Sequence, residues 1–450
     1  MERILWLDSL RGIASALVVI HHSKSLEPKS IVGFLTRSYW DEPAEENHRL
    51  IQLPPFRLLF NGPSMVALFM VISGYAISLP LLRCREDTGA NNSGFFSSTM
   101  LRCNSPDLSN LSAVHRHIIP QSIYWKAADN WLGGLKPLTA PWAHVRYVLS
   151  RIVHLLDISN HQLDINFDRN RPDMRTINYQ LWTMPVEFRG SCVVYLLILT
   201  FSFWRPQPRY LALAGVAMYW FYMGHWDLFA FATGILLAER HVASESEPEG
   251  EVALSYSCSP FESPKPITKA WNKFRENIHL QQLPTLVSFM LGMYFLCMCG
   301  TDRLAREYQW LAVARSPEWD NVEMMPRCWR SVGAVLTIYA ISKSALLQRP
   351  LNSRPLQYLG KISFPLYLVH PTVYLLLKWP VRDFLWWAVA RTSYPGSIEA
   401  SKHALPFYIA WIGTMLVLGA VMVIASELWS RFVDLKCLGL ARKFEKWVSF

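Results

Sequence analysis

The sequence predicts an all-α polytopic membrane protein, with about ten transmembrane helices in a single bundle and both termini cytosolic. Three observations predict it. Charged residues make up 17% of the chain and hydrophobic residues 51%, a balance too apolar for a soluble protein of this size. The apolar residues come in blocks near the ~17–25 residues that a bilayer needs. Lys and Arg gather beside those blocks, where they read as membrane-flanking charge. Mean hydropathy is only +0.14, because three polar insertions at 83–142, 241–282 and 301–328 dilute the apolar blocks.

The first block, 4–23, is interrupted by Asp8 and Arg11 and lacks a small-residue cleavage site, so it reads as an uncleaved span. The second, 56–82, is a long apolar run around Ile72-Ser73-Gly74-Tyr75. The third, 143–160, is weak because Arg146, Arg151 and His154 fall inside it. Blocks at 188–204, 208–223 and 225–240 follow closely, the last of them weak on hydropathy. The block at 283–300 holds Cys297 and Cys299, read as packing residues. Blocks at 329–348, 357–378 and 405–429 complete the set.

Orientation follows from the Lys/Arg at the span ends. With the N-terminus inside, the cytosolic segments include Arg205 and Arg209, then Lys343, Arg349 and Arg354, then the basic tail from Arg431 to Lys446. Residues 1–450 read as one integral membrane domain without internal repeats. Two insertions have the composition of disordered segments, one through Asn91-Asn92-Ser93-Gly94 and one through Glu245-Ser246-Glu247-Pro248-Glu249. Asn91-Asn92-Ser93 and Asn110-Leu111-Ser112 match the glycosylation sequon, but this topology puts them in the cytosol, where they are silent. An endomembrane such as the endoplasmic reticulum is expected over the plasma membrane. Oligomeric state is not legible.

Composition also excludes functions. The net charge of +10 carries no dense basic stripe interleaved with aromatics, so no nucleic-acid partner is expected. The eight cysteines include no C-x-x-C pair and no metal-ligand spacing, so no metal is expected.

Chemistry concentrates in four segments. In the first span Arg11 and His22 are eleven positions apart. At ~100° per residue this returns to within ~20° of one helix face, ~16 Å along the axis. Ionisable groups within a bilayer are costly and usually mark a functional path. A neutral imidazole is a general base near neutral pH, and an arginine suits phosphate. The pair fits a donor that carries phosphates and enters from the cytosol. The bland readings are an arginine snorkelling to headgroups and an interfacial histidine. His21 points ~100° away from His22 and is the weaker candidate base. Asp8, three residues before Arg11, is placed to hold it as an ion pair.

Ser73-Gly74 in the second span reads first as a close-packing site and second as chemistry. Leu181-Trp182-Thr183-Met184-Pro185-Val186-Glu187-Phe188-Arg189-Gly190 leads into the fourth span from the non-cytosolic side, where His22 ends. Glu187 there orients the imidazole or binds an incoming hydroxyl; the alternative is a surface pair with Arg189. Late in the chain, Gly360-Lys361-Ile362-Ser363-Phe364-Pro365-Leu366-Tyr367-Leu368-Val369-His370 puts Tyr367 and His370 on one helix face. A structural histidine is as good a reading of His370 as a functional one.

Together the four segments resemble the acyltransferase-3 family of integral membrane acyltransferases, and its fungal branch most of all. The resemblance rests on Arg-x10-His, Ser-Gly, Leu-Trp-Thr-x-Pro-Val-Glu-Phe-Arg-Gly-Ser at 181–191 and Gly-Lys-Ile-Ser-x-x-Leu-Tyr-Leu-Val-His, in the family's order over roughly 4–430. Each motif alone is weak. The resemblance implies O-acyl transfer, commonly of acetyl, from acyl-CoA as donor substrate to a hydroxyl of a sugar, lipid or secondary metabolite, with no bound cofactor. It makes Arg11 and His22 the family's essential pair. Many members carry Arg-x-x-Arg after the second span. Here Arg83 and Arg85 are one residue too close together, and Arg146 and Arg151 too far apart, so these four are only candidate contacts to the CoA phosphates. Asp8, Ser73, Tyr367 and His370 are further candidate substrate contacts.

Two other classes compete. A polytopic transporter would also place an arginine and a histidine in the bilayer, but transporters often show internal repeats, which this chain lacks. A receptor or scaffold would need neither residue. Among enzymes, His-x4-Asp and Gly-x-Ser-x-Gly are absent. The membrane-bound O-acyltransferases centred on one buried histidine share the reaction but not these motifs.

Overall fold

The computed structural model describes residues 4–23, 37–41, 47–88, 142, 146, 182–246, 278–298, 305–319, 324–436, 439 and 443. Most of its described residues are helical, with no strand among them. The expected third span, both sequons, Arg151 and most of the first two polar insertions lie outside the described residues, and of 143–160 only Arg146 falls within them.

The helices are α1 (Leu5–Ser23), α2 (Gly62–Thr88), α3 (Thr183–Phe201), α4 (Pro206–Tyr222), α5 (Trp226–Ser246) and α6 (Ile278–Leu296). They continue with α7 (Met324–Lys343), α8 (Ala345–Leu351), α9 (Arg354–Lys361), α10 (Ser363–Ala390) and α11 (Ala404–Trp429). A helix thus underlies each described apolar block. Among the described residues three helical segments, Gly62–Glu86, Thr183–Phe201 and Ala404–Asp434, are long and apolar enough to cross a membrane. The pair α7 and α8, bent by 98°, makes a fourth if it is one span.

The boundaries shift from the expected ones. The block at 357–378 is two helices, because the chain turns at Ile362 and starts α10 at Ser363, and α10 then runs on to Ala390. The block at 329–348 breaks at Ser344, whose side chain accepts from the Leu347 amide and caps α8. Helices α2 and α5 continue past the predicted edges of the first two insertions to Thr88 and Ser246, so Arg83 and Arg85 are helical.

At the centre stands α2. Of its apolar window 78% is buried within the bundle, against 28% for α11, which turns Leu405, Ile412, Leu416, Ile424 and Leu428 outward. An unpartnered apolar face of that kind suits lipid. Around α2 pack α1, α3, α5 and α7, while α6 packs on α7 and α11 on α10. Two pairs of glycines set the closest crossings. A Cβ on Gly12 would fall 2.4 Å from the Gly360 nitrogen, and one on Gly360 2.4 Å from the Asp8 carbonyl, so α1 and α9 touch backbone to backbone. Gly74 and Gly234 do the same for α2 and α5, with hypothetical Cβ atoms 2.4 Å from the Phe231 oxygen and 2.5 Å from the Val71 oxygen. Bundles in membranes use small residues in this way.

The third insertion, 301–328, packs rather than merely linking spans. Its 3-10 helix Arg306–Ala314 buries Tyr308 and Leu311, and Trp319 follows them into the core. Glu307 accepts hydrogen bonds from Arg57 at 3.0 Å and from the Ser38 hydroxyl at 2.5 Å, tying this cap to residues before α2.

Candidate active site

Four helices converge on a cavity of ≈ 40 Å³. Arg11 and Ser15 come from α1, Val66, Phe69 and Met70 from α2, Thr183 and Glu187 from α3, Ser363 and Tyr367 from α10. At roughly 10–15 Å³ per buried water, the space fits a few atoms of a substrate, not a whole nucleotide-bearing donor.

Local structure explains the convergence. Helix α3 begins at Thr183, with Pro185 in its first turn where a missing N–H costs nothing. Thr183 and Glu187 are therefore one turn apart on one face. Ser73 follows from the α2–α5 crossing: Gly74 meets α5, so its neighbour Ser73 meets α3. The two readings of Ser-Gly belong to adjacent residues, packing to Gly74 and polar contact to Ser73. The Ser15 hydroxyl donates to the Ser363 carbonyl at 2.8 Å, and Gln357 donates to the Ser9 hydroxyl at 2.7 Å. These bonds pin the Gly-Lys-Ile-Ser segment along α1.

Glu187 accepts a hydrogen bond from the Ser73 hydroxyl at 2.6 Å and lies within the electrostatic reach of Arg11. Arg11 is half-buried, and its Nε is buried with no hydrogen-bond partner among the described residues. The expected ion pair between Asp8 and Arg11 does not form. The Arg11 side chain turns into the cavity shared with Glu187, while the Asp8 carbonyl lies against Gly360. Proximity along one helix yields to the charge across the cavity.

His22 is not on the cavity wall. Its ring stacks on His370, with centroids 5.5 Å apart at 28°. His370 is buried, its ring centroid is 5.9 Å from that of Tyr367, and Tyr367 shares a hydrogen bond of 2.8 Å with Thr183 on the cavity wall. A continuous line thus runs from His22 through His370 and Tyr367 to Thr183. Glu187 engages Ser73 and Arg11 rather than His22, so it is not the residue that orients this imidazole. His21 takes a structural position: its Nδ1 is 2.6 Å from the Phe60 carbonyl, and its ring packs on Gly62.

The four candidate phosphate contacts separate. Arg85 is buried and forms a bidentate pair with Glu239 at 2.7 and 2.9 Å, plus a bond to Glu86. Arg209 joins the same Glu239 at 3.0 Å. Arg85 is thereby committed to an internal ion cluster and has little left for a donor phosphate. Arg83 is partly exposed and bidentate to Glu245 at 3.0 and 2.5 Å. Arg146 is exposed, and Arg151 lies outside the described residues. The alternative pair of Glu187 with Arg189 does not form, because Arg189 bonds the buried Asp227 instead.

Sequence reasoning passed over Thr183 and Ser15. Thr183 had a signal, its four-residue spacing to Glu187 inside the Trp-Thr-x-Pro motif. Ser15 had the same spacing to Arg11. Among the described residues no cluster of His, Cys, Asp and Glu has the makings of a metal site.

No family model matches the chain. No solved structure matches it either. Among curated proteins it is similar to O-acetyltransferase PaAT-1 of Phomopsis amygdali, 26% identical over 81% of this chain and 71% of that one. It is 23% identical to acyltransferase clz18 of Cochliobolus lunatus, over 95% of this chain and 93% of the relative. Acyltransferase R4 of a Phoma strain is 22% identical over the same shares, 95% and 93%. Three relatives named as acyltransferases, aligned along most of the chain, support an enzyme that transfers acyl groups.

Proposed function

We propose that this protein is a membrane-embedded O-acyltransferase that moves an acetyl group from acetyl-CoA to a hydroxyl of a sugar, lipid or secondary metabolite. It does so as one domain of about ten spans in an endomembrane, with both termini cytosolic. The observation that carries the reading is the cavity. An arginine whose buried Nε has no hydrogen-bond partner among the described residues faces a carboxylate held by a serine, at the end of a line of rings that leads to His22. The name of the Phomopsis relative supports acetyl as the group transferred.

The donor enters from the cytosolic side. Arg11 meets its negative charge, with Arg83, Arg146 and Arg151 as outer phosphate contacts. Arg83 is ten residues from Ser73 on α2, ~15 Å of helix. The thioester arm lies along α1 toward His22. His22 takes the proton of the acceptor hydroxyl as that oxygen attacks the thioester carbonyl carbon. The new C–O bond forms, the C–S bond breaks, and the departing thiolate takes the proton back from the imidazolium. His370 and Tyr367 hold the His22 ring at its angle, and Glu187 binds the acceptor. A route through an acyl-imidazole differs in one observable: it leaves labelled acyl on His22 when no acceptor is present.

Two experiments test this. Deleting the gene in its host should leave a metabolite lighter by one acyl group, and the wild-type gene should restore the product. With that metabolite as acceptor and labelled acetyl-CoA as donor, purified His22→Ala should lose ~10²–10⁴ in turnover, the usual worth of a general base. Wild-type turnover in His22→Ala would sink the catalytic role. Solute flux without acyl-CoA consumption would favour a transporter.

A further inference from the structure

Helix α1 divides two cavities of opposite character. Arg11 and Ser15 face the candidate site, while Leu10, Ala14 and Leu17 face a second cavity of ≈ 270 Å³. Its other walls come from α2, α6, α7 and the short helix α8, with Phe289 and Met293 contributed by α6. The side chains around it are apolar except for Thr337, whose hydroxyl donates to the Gly333 carbonyl of its own helix at 2.8 Å.

Such a space does not suit water. A buried water needs two to four polar partners, and this lining offers almost none. It is also large, since a dry cavity of about 150 Å³ already takes a benzene ring. Left empty, it would cost its lining side chains the contacts that hold a bundle together. An apolar occupant removes that cost.

The surroundings say which apolar occupant. Helix α6, which supplies Phe289 and Met293, turns Leu286, Val287 and Met290 outward within the same two turns. The floor is α8, set at 98° to α7, and Leu346 of α8 is 73% exposed. The cavity is therefore one helix thickness from an outward apolar surface and continuous with it in chemistry. A hydrocarbon chain matches that chemistry, whereas a charged headgroup would be buried there without partners.

We propose that this cavity is a lipid site. It takes one hydrocarbon tail of a bilayer lipid, which enters beside α6 and lies against the face of α1 opposite Arg11. The headgroup stays outside. The site supports α1 from behind and is independent of the acyl-transfer reading.

The test uses the full-length protein in phosphatidylcholine nanodiscs that contain a phosphatidylcholine with a diazirine near the end of one tail. After irradiation, labelled peptides are identified by mass spectrometry. The expected result is label on α1 at Leu10–Leu17, whose Ala14 is 1% exposed and out of reach of lipid that stays on the surface. That label should be lost in Ala14→Phe and in Met293→Trp, which fill the cavity from opposite walls. Label on the outward residues Leu416 and Leu428 of α11 should persist in both, and serves as the control for folded, inserted protein. Two results overturn the proposal. One is α1 label absent in the wild type or unchanged in both variants. The other is α1 label displaced by a long-chain acyl-CoA but not by excess unlabelled phosphatidylcholine, which would give the cavity to a donor's acyl chain.

Discussion

The buried Arg85 and Arg209 and the half-buried Arg11 lie in two regions of this bundle that treat their arginines in different ways. At one end of α2, Arg85 and Arg209 share Glu239, and Arg85 adds Glu86. Around the middle of α2, Arg11 meets Glu187 across a cavity, Glu187 is bonded by Ser73, and the Arg11 Nε stays without a partner among the described residues. Both arrangements cost desolvation energy. The first recovers most of it through the shared Glu239, although the Arg209 Nε, like that of Arg11, has no hydrogen-bond partner among the described residues. The second leaves the Arg11 guanidinium facing a cavity, where under the proposed function the donor's negative charge adds to that of Glu187. Under the proposed function Arg85 and Arg209 are structural and Arg11 binds substrate, and what separates them is the cavity onto which Arg11 opens.

The contrast breaks most sharply under paired substitutions. Glu239→Ala leaves two guanidinium groups buried without their carboxylate. Removing one partner of a buried pair typically costs ~3–5 kcal/mol. The expected outcome is a large fall in folded yield and thermal stability, with normal turnover per folded molecule. Arg11→Ala removes a charge that the fold does not fully use. It should lose less stability than Glu239→Ala, because Glu187 keeps its hydrogen bond from Ser73, and lose ~10²–10³ in turnover, as for the loss of a charge-stabilising donor. Stability from thermal unfolding in detergent and turnover with labelled acetyl-CoA read the two axes. If the variants exchange patterns, Arg11 is the structural arginine and the site lies elsewhere.

A smaller effect sharpens the role of Ser73. Its hydroxyl donates to Glu187 at 2.6 Å. A hydrogen bond to a charged group is worth ~1.5–3 kcal/mol. Ser73→Ala should therefore weaken acceptor binding, raising the acceptor KM by roughly ten-fold or more with little change in kcat. If kcat falls instead and KM holds, Glu187 acts in the transition state, and its assignment as an acceptor-binding group is wrong.

The sequence made some of this contrast legible. Apolar blocks place helices because burial acts on local runs of residues, so every described block carries one. The breaks at Ser344 and Ile362 were missed because each is set by a turn inside an otherwise apolar stretch. The cap at 306–319 was missed because a 3-10 helix burying Tyr308 and Leu311 has no 3.6-residue period to read. In the site, Arg11, Glu187 and Ser73 stood out as polar groups in apolar surroundings. Their grouping did not, since Ser73 and Glu187 meet across 114 positions of chain. Asp8 failed for the converse reason: it is near Arg11 in sequence, and the fold turns Arg11 elsewhere. The commitment of Arg85 was hidden in the same way, because Glu239 lies 154 positions on.

The weakest contrast lies between two arginines two residues apart. Arg85 is 4% exposed in its pair, whereas Arg83 is 25% exposed and its partner Glu245 42%. The hydrogen bonds from Arg83 hold the Glu245 carboxyl below the usual carboxylate range, against the opposing effect of partial burial. A carboxylate lowered on folding adds stability that is fully present above its unfolded value, ~4.3, and is lost as pH falls through the lower folded value. Solvent screening keeps the contribution of such a pair at ~0.2–1 kcal/mol. Glu245→Gln should therefore lower the melting temperature by no more than about 2–4 °C at pH 7 and by progressively less as the pH drops below 4. Turnover at pH 7 separates the remaining roles of Arg83. If Arg83 touches a donor phosphate, freeing it from Glu245 should lower the KM for acetyl-CoA, because the guanidinium no longer divides its bonds between a carboxylate and the donor. An unchanged KM in Glu245→Gln, together with an unchanged KM in Arg83→Ala, would make this pair a smaller copy of the Arg85 cluster and leave Arg11 as the donor's contact within the described bundle.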